Sequence, residues 1–348
     1  MKFKAAILAE LKAPLVIEDI EINPLRFGQV LVRILCSGIC GAQINEIEGA
    51  KGPDKFLPHL LGHEATAIVE EVGEGVTFVK PGDRVVCHWR KGAGLQGPPA
   101  TYRSKAFPTI NSGWVTTFSE YSVVSENRLT KVPDDFDPET GALFGCAVTT
   151  AVGVLNNNAR LGIGESIVIF GTGGVGLNMV QFASKIAAYP IIGVDLHDNR
   201  LELARKLGAT HTLNSSKCDV VAEIRKVVGS PGVDVAIENT GLAEVIETAY
   251  EVTASQGRVI LVGVPAKVAR KPNLYTLPLH FNKVLTGSEG GSCRPEIDIP
   301  KLVRLCSTER VNFSELVSKR YKLNDINRAI NDLKEGKIAG RCMVWMDK

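Results

Sequence analysis

The sequence lacks the features that mark secreted, membrane-spanning and nucleic-acid-binding proteins. Its 40 basic and 38 acidic residues leave a formal net charge of only +2, and no run of Lys and Arg predicts a nucleic-acid surface. The N-terminal stretch MKFKAAILAELKAP reaches Glu10 and Lys12 too early for a signal peptide, and no run of about 18 apolar residues predicts a membrane span. We therefore expect a cytoplasmic protein without a nucleic-acid or membrane partner.

A dense cysteine framework is also missing. Eight cysteines are dispersed over 348 residues, a length typical of about two domains. Dispersed cysteines in a chain of this size favour reduced thiols over the disulfide scaffold of a small secreted protein. Cys40, in the stretch SGICGAQ, is therefore interpreted as a core thiol or a metal ligand rather than as half of a disulfide.

The middle of the chain alternates strand and helix patterns. A β-branched strand over 166–170 runs through a glycine turn into an apolar-periodic helix, and later strands are predicted within 233–241 and 257–265. This alternation predicts an α/β fold with a doubly wound parallel sheet, the Rossmann arrangement, which we assign to residues 149–285.

The two ends of the chain have a different texture. Short strand-like runs such as QVLVRIL and ATAIVEEVG are separated by glycine and proline turns, which predicts a mainly antiparallel, barrel-like β structure. After about residue 282 come a glycine loop, two helical patterns and a last strand, RCMVWM. We predict a split catalytic domain over 1–148 and 286–348, and a loose segment over 88–115 that forms a lid or binding loop.

A GxGxxG pattern lies at the first turn of the predicted Rossmann domain. The glycine turn follows a strand and opens a helix, and Asp195 ends the next strand about 20 residues later, the spacing of a dinucleotide-binding unit. Asp195 would accept hydrogen bonds from the ribose hydroxyls and repel a 2′-phosphate, which favours NAD over NADP. Arg200 either lies along the same ribose or is a surface residue. The predicted cofactor-binding turn comprises Gly171, Gly173, Gly174, Val175 and Gly176.

Cys40 has two candidate companions elsewhere in the chain. The stretch LGHEA supplies His63 with Glu64 beside it, and LFGCA supplies Cys146. Two thiolates and an imidazole are the ligand set of a catalytic zinc site that keeps a fourth position open. These residues are far apart in sequence, so spacing alone does not establish a site, and each one alone fits a buried core residue equally well.

The motifs SGICG, GHE, PGDRV, GCAVTT, GTGGVG, VDL, LVGVP and GSEGG, with a last strand that begins at Arg341, occur in this order over nearly the whole chain. In this order they resemble the zinc-containing medium-chain alcohol dehydrogenases. The resemblance implies a GroES-like catalytic domain and a catalytic zinc bound by Cys40, His63 and Cys146. It also implies an NAD-dependent exchange of hydride with a small-molecule alcohol or carbonyl substrate.

The same resemblance implies roles for several further residues. Glu64 would approach the zinc during ligand exchange or stay behind the ligands as an orienting charge. Thr150 would pack against the nicotinamide, and the backbone around Gly263 and Val264 would hold its carboxamide. Arg341 would reach a coenzyme phosphate or the surroundings of the zinc, or lie at the surface. Pairing through the strand-like segment 273–281 would give a homodimer or a homotetramer.

The chain also departs from the family pattern. No cysteine lies between Cys87 and Cys146, where most relatives carry four that bind a structural zinc, so no structural zinc is expected. Ala42 and Asn45 replace the usual proton-relay residues, which leaves the general base open. Gln43 replaces the aspartate that supports the zinc histidine; we expect its amide oxygen to accept the imidazole N–H and zinc to be held more weakly.

Substrate identity is the least determined feature. Trp89 lines the pocket beside the zinc or anchors a lid. The predicted lid has a basic edge, which is either a solvated loop or part of a site for an anionic or sugar-like substrate. We expect the substrate to be a polyol or sugar-derived alcohol. The rival functions are a zinc-independent quinone or enoyl reductase and a nucleotide-binding relative without catalysis. The basic edge comprises Arg90, Lys91, Arg103 and Lys105.

Overall fold

The structure is a computed structural model, and it describes residues 1–265, 270–308, 310–311 and 313–346. The strands are β1 (Lys2–Leu8), β2 (Val16–Ile22), β3 (Gln29–Gly38), β4 (His59–Leu60), β5 (Glu64–Val72), β6 (Arg84–His88), β7 (Thr101–Arg103), β8 (Ile110–Asn111), β9 (Tyr121–Ser125), β10 (Leu129–Lys131), β11 (Ile167–Phe170), β12 (Ile191–Asp195), β13 (His211–Asn214), β14 (Val233–Glu238), β15 (Thr253–Leu261), β16 (Val284–Gly287), β17 (Val317–Lys322) and β18 (Arg341–Trp345). The α-helices are α1 (Gly41–Ile47), α2 (Pro138–Phe144), α3 (Ala147–Gly153), α4 (Gly174–Ile186), α5 (Asp198–Lys206), α6 (Val220–Val228), α7 (Ala243–Val252), α8 (Pro295–Cys306) and α9 (Ile326–Lys334).

The chain folds into two compact units. Unit 1 comprises Met1–Ala147, Arg294–Lys337 and Arg341–Lys348, and unit 2 comprises Val148–Cys293 and Ile338–Gly340. The predicted change of domain at residue 285 differs from the observed change after Cys293. The reason is that β16 pairs in parallel with β15 and so extends the sheet of unit 2.

Unit 1 contains a closed barrel and a larger sheet. The barrel follows the order β1-β2-β7-β8-β4, and the sheet follows β10-β6-β5-β3-β18-β17, with β9 paired to β3. Alternating apolar residues fill the barrel, where Phe3, Ile7 and Tyr102 belong to one buried cluster. The C-terminal strand β18 pairs antiparallel with β3, so the end of the chain completes the sheet that the first part begins.

Residues 88–115 do not form the single loose lid predicted from their composition. Strands β7 and β8 lie within this segment and close the barrel. Tyr102 is 1% exposed and its hydroxyl accepts the Val123 N–H at 2.7 Å. The prediction failed because strands of two and three residues are too short for a readable period.

Unit 2 is a six-stranded parallel sheet in the order β13-β12-β11-β14-β15-β16. The inner strands β11, β12 and β14 are buried on both faces, as expected where helices cover a parallel sheet. The order reverses between β11 and β14, which are neighbours, and the carboxyl ends of strands at such a switch point form a crevice for ligands.

The predicted strand-like segment at 273–281 is not a strand. Residues Leu277–Phe281 form a 3₁₀ turn with Pro278 in its first positions, and Pro278 cannot donate a ladder hydrogen bond. The edge strand is β16 instead. Exposed apolar side chains surround this edge: Tyr275, Leu277, Phe281 and Val284.

Among the described residues, no helix on its own has the length and hydropathy of a membrane span. The consecutive helices over 138–144 and 147–158 reach that criterion only when they are joined across a bend.

Candidate metal centre and nucleotide-binding turn

Three element ends in unit 1 bring two thiols and an imidazole together. Cys40 directly precedes α1, His63 directly precedes β5, and Cys146 follows the end of α2. One ligand atom from each of these residues lies within 4.8 Å of those of the other two. Ligand atoms around a tetrahedral zinc are about 3.4–3.8 Å apart, so small side-chain rotations suffice to close this set around a metal.

The glycines next to the two cysteines make room for Glu64. A Cβ on Gly38 would lie 2.5 Å from Glu64 Oε1, and a Cβ on Gly145 would lie 2.8 Å from the Cα of Glu64. Such distances are far inside van der Waals contact, so no other residue fits either position without displacing the backbone or the carboxylate. The SGICG and FGC stretches therefore serve to pack a buried carboxylate behind the metal-type ligands.

Gln43 connects two of the candidate ligands. Its Oε1 accepts the backbone N–H of Cys40 at 2.9 Å, and its Nε2 lies against His63 Nδ1. We expected the amide oxygen to face the imidazole, and the structure differs because that oxygen is committed to Cys40. The other ring nitrogen of His63, Nε2, is buried and has no hydrogen-bond partner among the described residues. A metal bound at Nε2 would require the ring proton to lie on Nδ1 and the Gln43 amide to turn its oxygen toward that N–H.

Arg341 and Glu64 form the charged layer behind this cluster. Arg341 Nε lies 3.0 Å from Glu64 Oε1, and its Nη1 donates to the Ile39 carbonyl at 3.3 Å. Both side chains are buried, at 4% and 0% exposure. The contacts described for Arg341 are thus with the metal-type cluster, one of the alternatives considered from sequence.

The charges in the cluster act on one another. The pKa of Cys40 is held well below its usual value, first by a hydrogen bond from the Cys146 thiol and then by the charge of Arg341. The same contact raises the pKa of Cys146, and burial raises the pKa of Glu64. The Cys40–Cys146 pair therefore holds a thiolate at Cys40 beside the Arg341 guanidinium. A thiolate is the anionic donor that a soft divalent metal prefers.

A second group of metal-type side chains lies nearby in sequence but differs in character. Glu46, Asp54 and His59 also place their ligand atoms within 4.8 Å of one another. Here His59 Nε2 and Asp54 Oδ2 already satisfy each other at 2.9 Å, and the Leu60 carbonyl accepts from Nδ1. This group has no thiolate and no orphaned nitrogen, so the Cys40 cluster is the better candidate for zinc.

The predicted nucleotide turn lies in unit 2, between β11 and α4. Gly171 has φ +86°, in the region that favours glycine, and a Cβ on Gly176 would collide with the Gly171 carbonyl. A Cβ on Gly173 would meet nothing within 4 Å, so the space above this residue is open. Gly174 and Val175 form the first turn of α4. An open face at a helix N-terminus fits the approach of a pyrophosphate.

Asp195, at the end of β12, is buried beside this turn. Its Oδ2 accepts the Thr172 N–H at 2.9 Å and its Oδ1 accepts the His197 N–H at 3.1 Å. Arg200 Nη1 lies 3.5 Å from the same Oδ1. The carboxylate therefore also holds the glycine turn in place, a role that the sequence pattern does not reveal.

Two residues outside the predicted motifs also contact the glycine turn. Asn239 and Thr240 follow β14 and pack against Gly171, with Asn239 Nδ2 donating to the Gly171 carbonyl at 3.4 Å. Glu238 accepts the Thr240 N–H at 2.5 Å. The sequence pattern identifies 233–241 only as part of a strand, and the position of this stretch next to the glycine turn at the switch point was the available signal.

The remaining predicted cofactor residues also lie in unit 2. Gly263 follows β15, and a Cβ there would collide with the Gly241 nitrogen, which explains glycine at this position. Val264 is exposed, and Thr150 is buried in α3.

Trp89 follows β6 in unit 1, and its ring lies 5.7 Å from the Arg90 guanidinium. The basic residues predicted to form one edge of the lid do not point to a common site. Arg103 is ion-paired with Glu21 at 3.1 Å on the barrel surface, and Lys105 is exposed.

Comparison with known proteins agrees with this geometry. An alcohol dehydrogenase GroES-like domain matches residues 26–134, and a zinc-binding dehydrogenase domain matches residues 174–308. An NDMA-dependent alcohol dehydrogenase from Amycolatopsis methanolica is 33% identical, with 97% of each chain covered. The chain belongs to the zinc-type medium-chain alcohol dehydrogenase family. An S-(hydroxymethyl)glutathione dehydrogenase from Paracoccus denitrificans is 31% identical over 97% of this dehydrogenase and 98% of that protein.

Solved structures give the same assignment for this dehydrogenase. The benzyl alcohol dehydrogenase from Acinetobacter calcoaceticus aligns over 100% of both chains with a TM-score of 0.88 and 27% identity. An alcohol dehydrogenase zinc-binding domain protein from Burkholderia ambifaria aligns over 100% of both chains with a TM-score of 0.90 and 30% identity. The predicted α/β fold with a GroES-like domain is confirmed.

Family membership also defines the general activity. This dehydrogenase is an alcohol and aldehyde oxidoreductase that acts on small molecules, as the relatives named alcohol dehydrogenase indicate. The rival interpretations as a zinc-independent reductase or as a non-catalytic relative are not favoured.

Proposed function

We propose that this dehydrogenase binds one catalytic zinc through Cys40, His63 and Cys146 and exchanges hydride between a polyol or sugar-derived alcohol and NAD. The observation that carries the proposal is the convergence of two thiols and an imidazole whose Nε2 is buried and unsatisfied. The zinc supplies a Lewis acid that lowers the pKa of an alcohol, and the nicotinamide accepts the hydride.

The chain's own residues prepare this chemistry. The side-chain amide of Gln43 contacts both the Cys40 backbone N–H and the His63 ring, and so positions these two residues relative to each other. The buried ion pair of Glu64 and Arg341 would orient the ligands, and Glu64 would approach the metal during ligand exchange. Such partners behind the ligands set both the geometry and the electrophilicity of a metal site.

The proton of the alcohol leaves by a route without the usual hydroxyl. Ala42 has no donor or acceptor on its side chain, and Asn45 carries no titratable group; both side chains are exposed. We therefore propose that solvent or a hydroxyl of the substrate takes the proton, and a polyol supplies such a hydroxyl.

In unit 2, we propose that the turn from Gly171 to Gly176 holds the pyrophosphate of NAD and that Asp195 recognises the ribose. The open space above Gly173 and the buried Asp195 carboxylate support this assignment. The carboxylate repels a 2′-phosphate, so NAD is preferred over NADP. Thr150, Gly263 and Val264 complete the proposed nicotinamide site, and Arg200 flanks the ribose.

The finer organisation is part of the same proposal. Unit 1 acts as the catalytic zinc domain predicted over 1–148 and 286–348, and unit 2 acts as the dinucleotide domain predicted over 149–285, with the change of domain after Cys293. A cytoplasmic homodimer or homotetramer forms through the exposed apolar edge beside β16, where Tyr275 and Phe281 are 72% and 64% exposed.

The first experiment is elemental analysis of the protein purified without chelator, with Cys40→Ala and Cys306→Ala in parallel. Cys306, a half-buried thiol on α8, is the matched control because it belongs to no metal-type cluster among the described residues. We expect about one zinc per chain in the wild type and the control, and none in Cys40→Ala. Two zinc ions per chain refute the absence of a structural site, and zinc in Cys40→Ala refutes the ligand assignment.

The second experiment measures oxidation of polyols and sugar alcohols with NAD, with NADP and with NDMA as the acceptor. The NDMA arm is included because one relative is named for its dependence on NDMA. Turnover with NAD alone supports the proposed cofactor, whereas activity confined to NADP or NDMA contradicts it.

A further inference from the structure

A strained loop follows the edge strand β16 in unit 2. Gly290, Gly291 and Ser292 have φ values of +57°, +69° and +51°, so three consecutive residues adopt the left-handed conformation. Glycine adopts this conformation freely, but in Ser292 the Cβ crowds the following carbonyl oxygen. A backbone conformation of this kind persists only where neighbouring groups fix it, and it is concentrated at functional sites.

The neighbouring groups come from a π-helical turn that continues α3. The turn comprises Val154–Asn158, and the Ala159 N–H donates to the Val154 carbonyl at 2.7 Å, five residues back. π-helical turns are rare in proteins and are frequently found at functional sites. This turn directs Asn157 and Asn158 at the strained loop, which we call the 288–292 loop.

Asn158 holds both ends of the 288–292 loop. Its Oδ1 accepts the Ser288 hydroxyl at 2.7 Å, and its Nδ2 donates to Ser292 Oγ at 3.1 Å. The Ser288 hydroxyl oxygen also accepts the Gly291 N–H at 3.0 Å, which extends the network into the middle of the loop. One amide therefore uses its acceptor and its donor on the two serines that flank the glycines.

The other two asparagines of the turn differ in their contacts. Asn157 Nδ2 donates to the Gly291 carbonyl at 2.9 Å and so adds a second restraint on the loop. Asn156 is exposed, and in the part of the chain that the structure describes no hydrogen bond joins its side chain to the loop. The stretch NNN therefore contains two residues that hold the loop and one matched residue that does not.

The 288–292 loop packs directly on the helix that carries Thr150. A Cβ on Gly291 would lie 2.5 Å from the Thr150 carbonyl oxygen, and a Cβ on Gly153 would lie 2.4 Å from the Gly291 carbonyl oxygen. The Ser288 N–H donates to the Leu261 carbonyl at 2.8 Å, at the end of β15. The loop thus contacts α3 and the end of β15, the two segments that carry the proposed nicotinamide residues.

The π-helical turn has its own anchor away from this loop. Arg258 on β15 donates to the carbonyls of Ala159 and Arg160, and it pairs with Glu165 at 2.5 Å. The turn is therefore held in place without the loop, whereas the strained loop depends on the asparagine amides. This asymmetry indicates that the asparagines position the loop, rather than that the loop positions the helix.

We propose that Asn158, assisted by Asn157, is a positioning residue for hydride exchange, because it holds the 288–292 loop in the shape that the nicotinamide half of the coenzyme requires. The inference rests on the proposed function, which supplies the nicotinamide site. Asn158 acts through the loop and does not itself bind the coenzyme. Without its amide, Ser292 relaxes, the fraction of molecules with a binding-competent loop falls, and the apparent affinity falls by the same factor.

The first experiment compares the binding of NADH and of ADP-ribose, which lacks the nicotinamide, to the protein as purified. Both ligands contain the pyrophosphate that we assign to the turn from Gly171 to Gly176. Asn158→Ala should bind NADH about tenfold more weakly, because two hydrogen bonds of ordinary strength are lost, and ADP-ribose within about twofold of the wild type. Asn156→Ala is the matched control and should bind both ligands as the wild type does.

This comparison separates positioning from general damage to unit 2. Equal weakening of NADH and ADP-ribose binding in Asn158→Ala shows that the whole coenzyme site is damaged, and it overturns the proposal. Unchanged NADH binding also overturns it. An equal loss of NADH affinity in Asn156→Ala does the same, because that side chain does not hold the loop.

Ser288→Ala provides an independent variant, and it serves in place of Asn158→Ala if that protein does not fold. It removes the hydroxyl that Asn158 Oδ1 accepts and should weaken NADH binding in the same selective way. The double variant should lose little more affinity than Asn158→Ala alone, because both substitutions break one network. Losses that multiply fully overturn the common network.

Steady-state kinetics give a further readout, with the alcohol that the wild type oxidises best. At saturating NAD, Asn158→Ala should show a lower kcat, because a nicotinamide beside a relaxed loop is less well oriented for hydride exchange. The KM for the alcohol should stay within about twofold, since the loop holds the coenzyme and not the alcohol. An unchanged kcat with a raised alcohol KM contradicts the proposal.

The two proposals fail in different ways. If the wild type binds NADH and Asn158→Ala binds it equally well, the positioning role is refuted and the proposed function stands. If the wild type binds neither NADH nor ADP-ribose, the coenzyme assignment of the proposed function fails, and the positioning role fails with it.

Discussion

Replacing Glu126 by glutamine should destabilise unit 1 by about 3 kcal/mol. Glu126 is 0% exposed, and its carboxylate accepts three backbone N–H groups. Oε1 accepts from Thr77 and Phe78 at 2.6 and 2.7 Å, and Oε2 accepts from Leu95 at 2.7 Å. These bonds tie the chain after β6 to the turn before it.

The magnitude follows from the chemistry of the replacement. In Glu126→Gln the amide oxygen can keep two of the N–H groups, but the amide nitrogen then faces the Leu95 N–H, and two donors oppose each other. An unsatisfied buried donor costs about 1–3 kcal/mol, and the two remaining bonds lose their charge, at about 0.5–1 kcal/mol each. Gly94 has no spare room for relaxation, since a Cβ there would lie 2.9 Å from Glu126 Cγ.

Urea denaturation followed by tryptophan fluorescence measures this effect. All three tryptophans belong to unit 1, so the signal reports the unit that contains Glu126. Glu70→Gln is the control, because Glu70 is 37% exposed and paired with Arg33 at the surface; we expect a change within about 0.5 kcal/mol. If Glu126→Gln unfolds within about 0.5 kcal/mol of the wild type, the carboxylate does not hold this segment.

Three further predictions concern the metal, the cofactor and acid stability. Gln43→Asp should slow the release of zinc to a chelator about tenfold or more, because a charged partner makes His63 a more basic ligand; equal release rates refute this role. Asp195→Ala should reduce the preference for NAD over NADP, measured as the ratio of the two kcat/KM values, and an unchanged ratio contradicts ribose recognition. The hydrogen bond from Arg258 lowers the pKa of Glu165. This pair therefore stabilises the fold above the unfolded pKa of about 4.3, and the stabilisation is lost as pH falls through the lower folded pKa. Glu165→Gln should flatten the acid side of a plot of unfolding free energy against pH, and an unchanged acid side refutes this role of the pair.

The sequence predicted the fold where the signals are local. The glycine turn before α4 and the alternation of strands and helices in unit 2 depend on residues close together in the chain, and the predicted Rossmann sheet is confirmed. Prediction failed at residues 88–115 and 273–281. There, strands of two or three residues and one proline decide the structure, and hydropathy patterns do not resolve elements of that length.

The same distinction between local sequence signals and tertiary contacts holds for the candidate metal site. Cys40, His63 and Cys146 were selected from residue type and family resemblance, and each taken alone also fits a buried core residue. Only the folded chain brings their ligand atoms within 4.8 Å, because three separate element ends meet in unit 1.

By itself, the amino-acid sequence determined the fold class, the family and the chemistry available to the site, because periodicity, glycine turns and ligand types are properties of the chain. Tertiary structure alone decided which side chains lack partners. The orphaned His63 nitrogen and the contact between the Gln43 amide and the His63 ring both depend on neighbours that are distant in sequence. Hydrogen-bond and charge balance are three-dimensional quantities, and no linear pattern of residues encodes them locally.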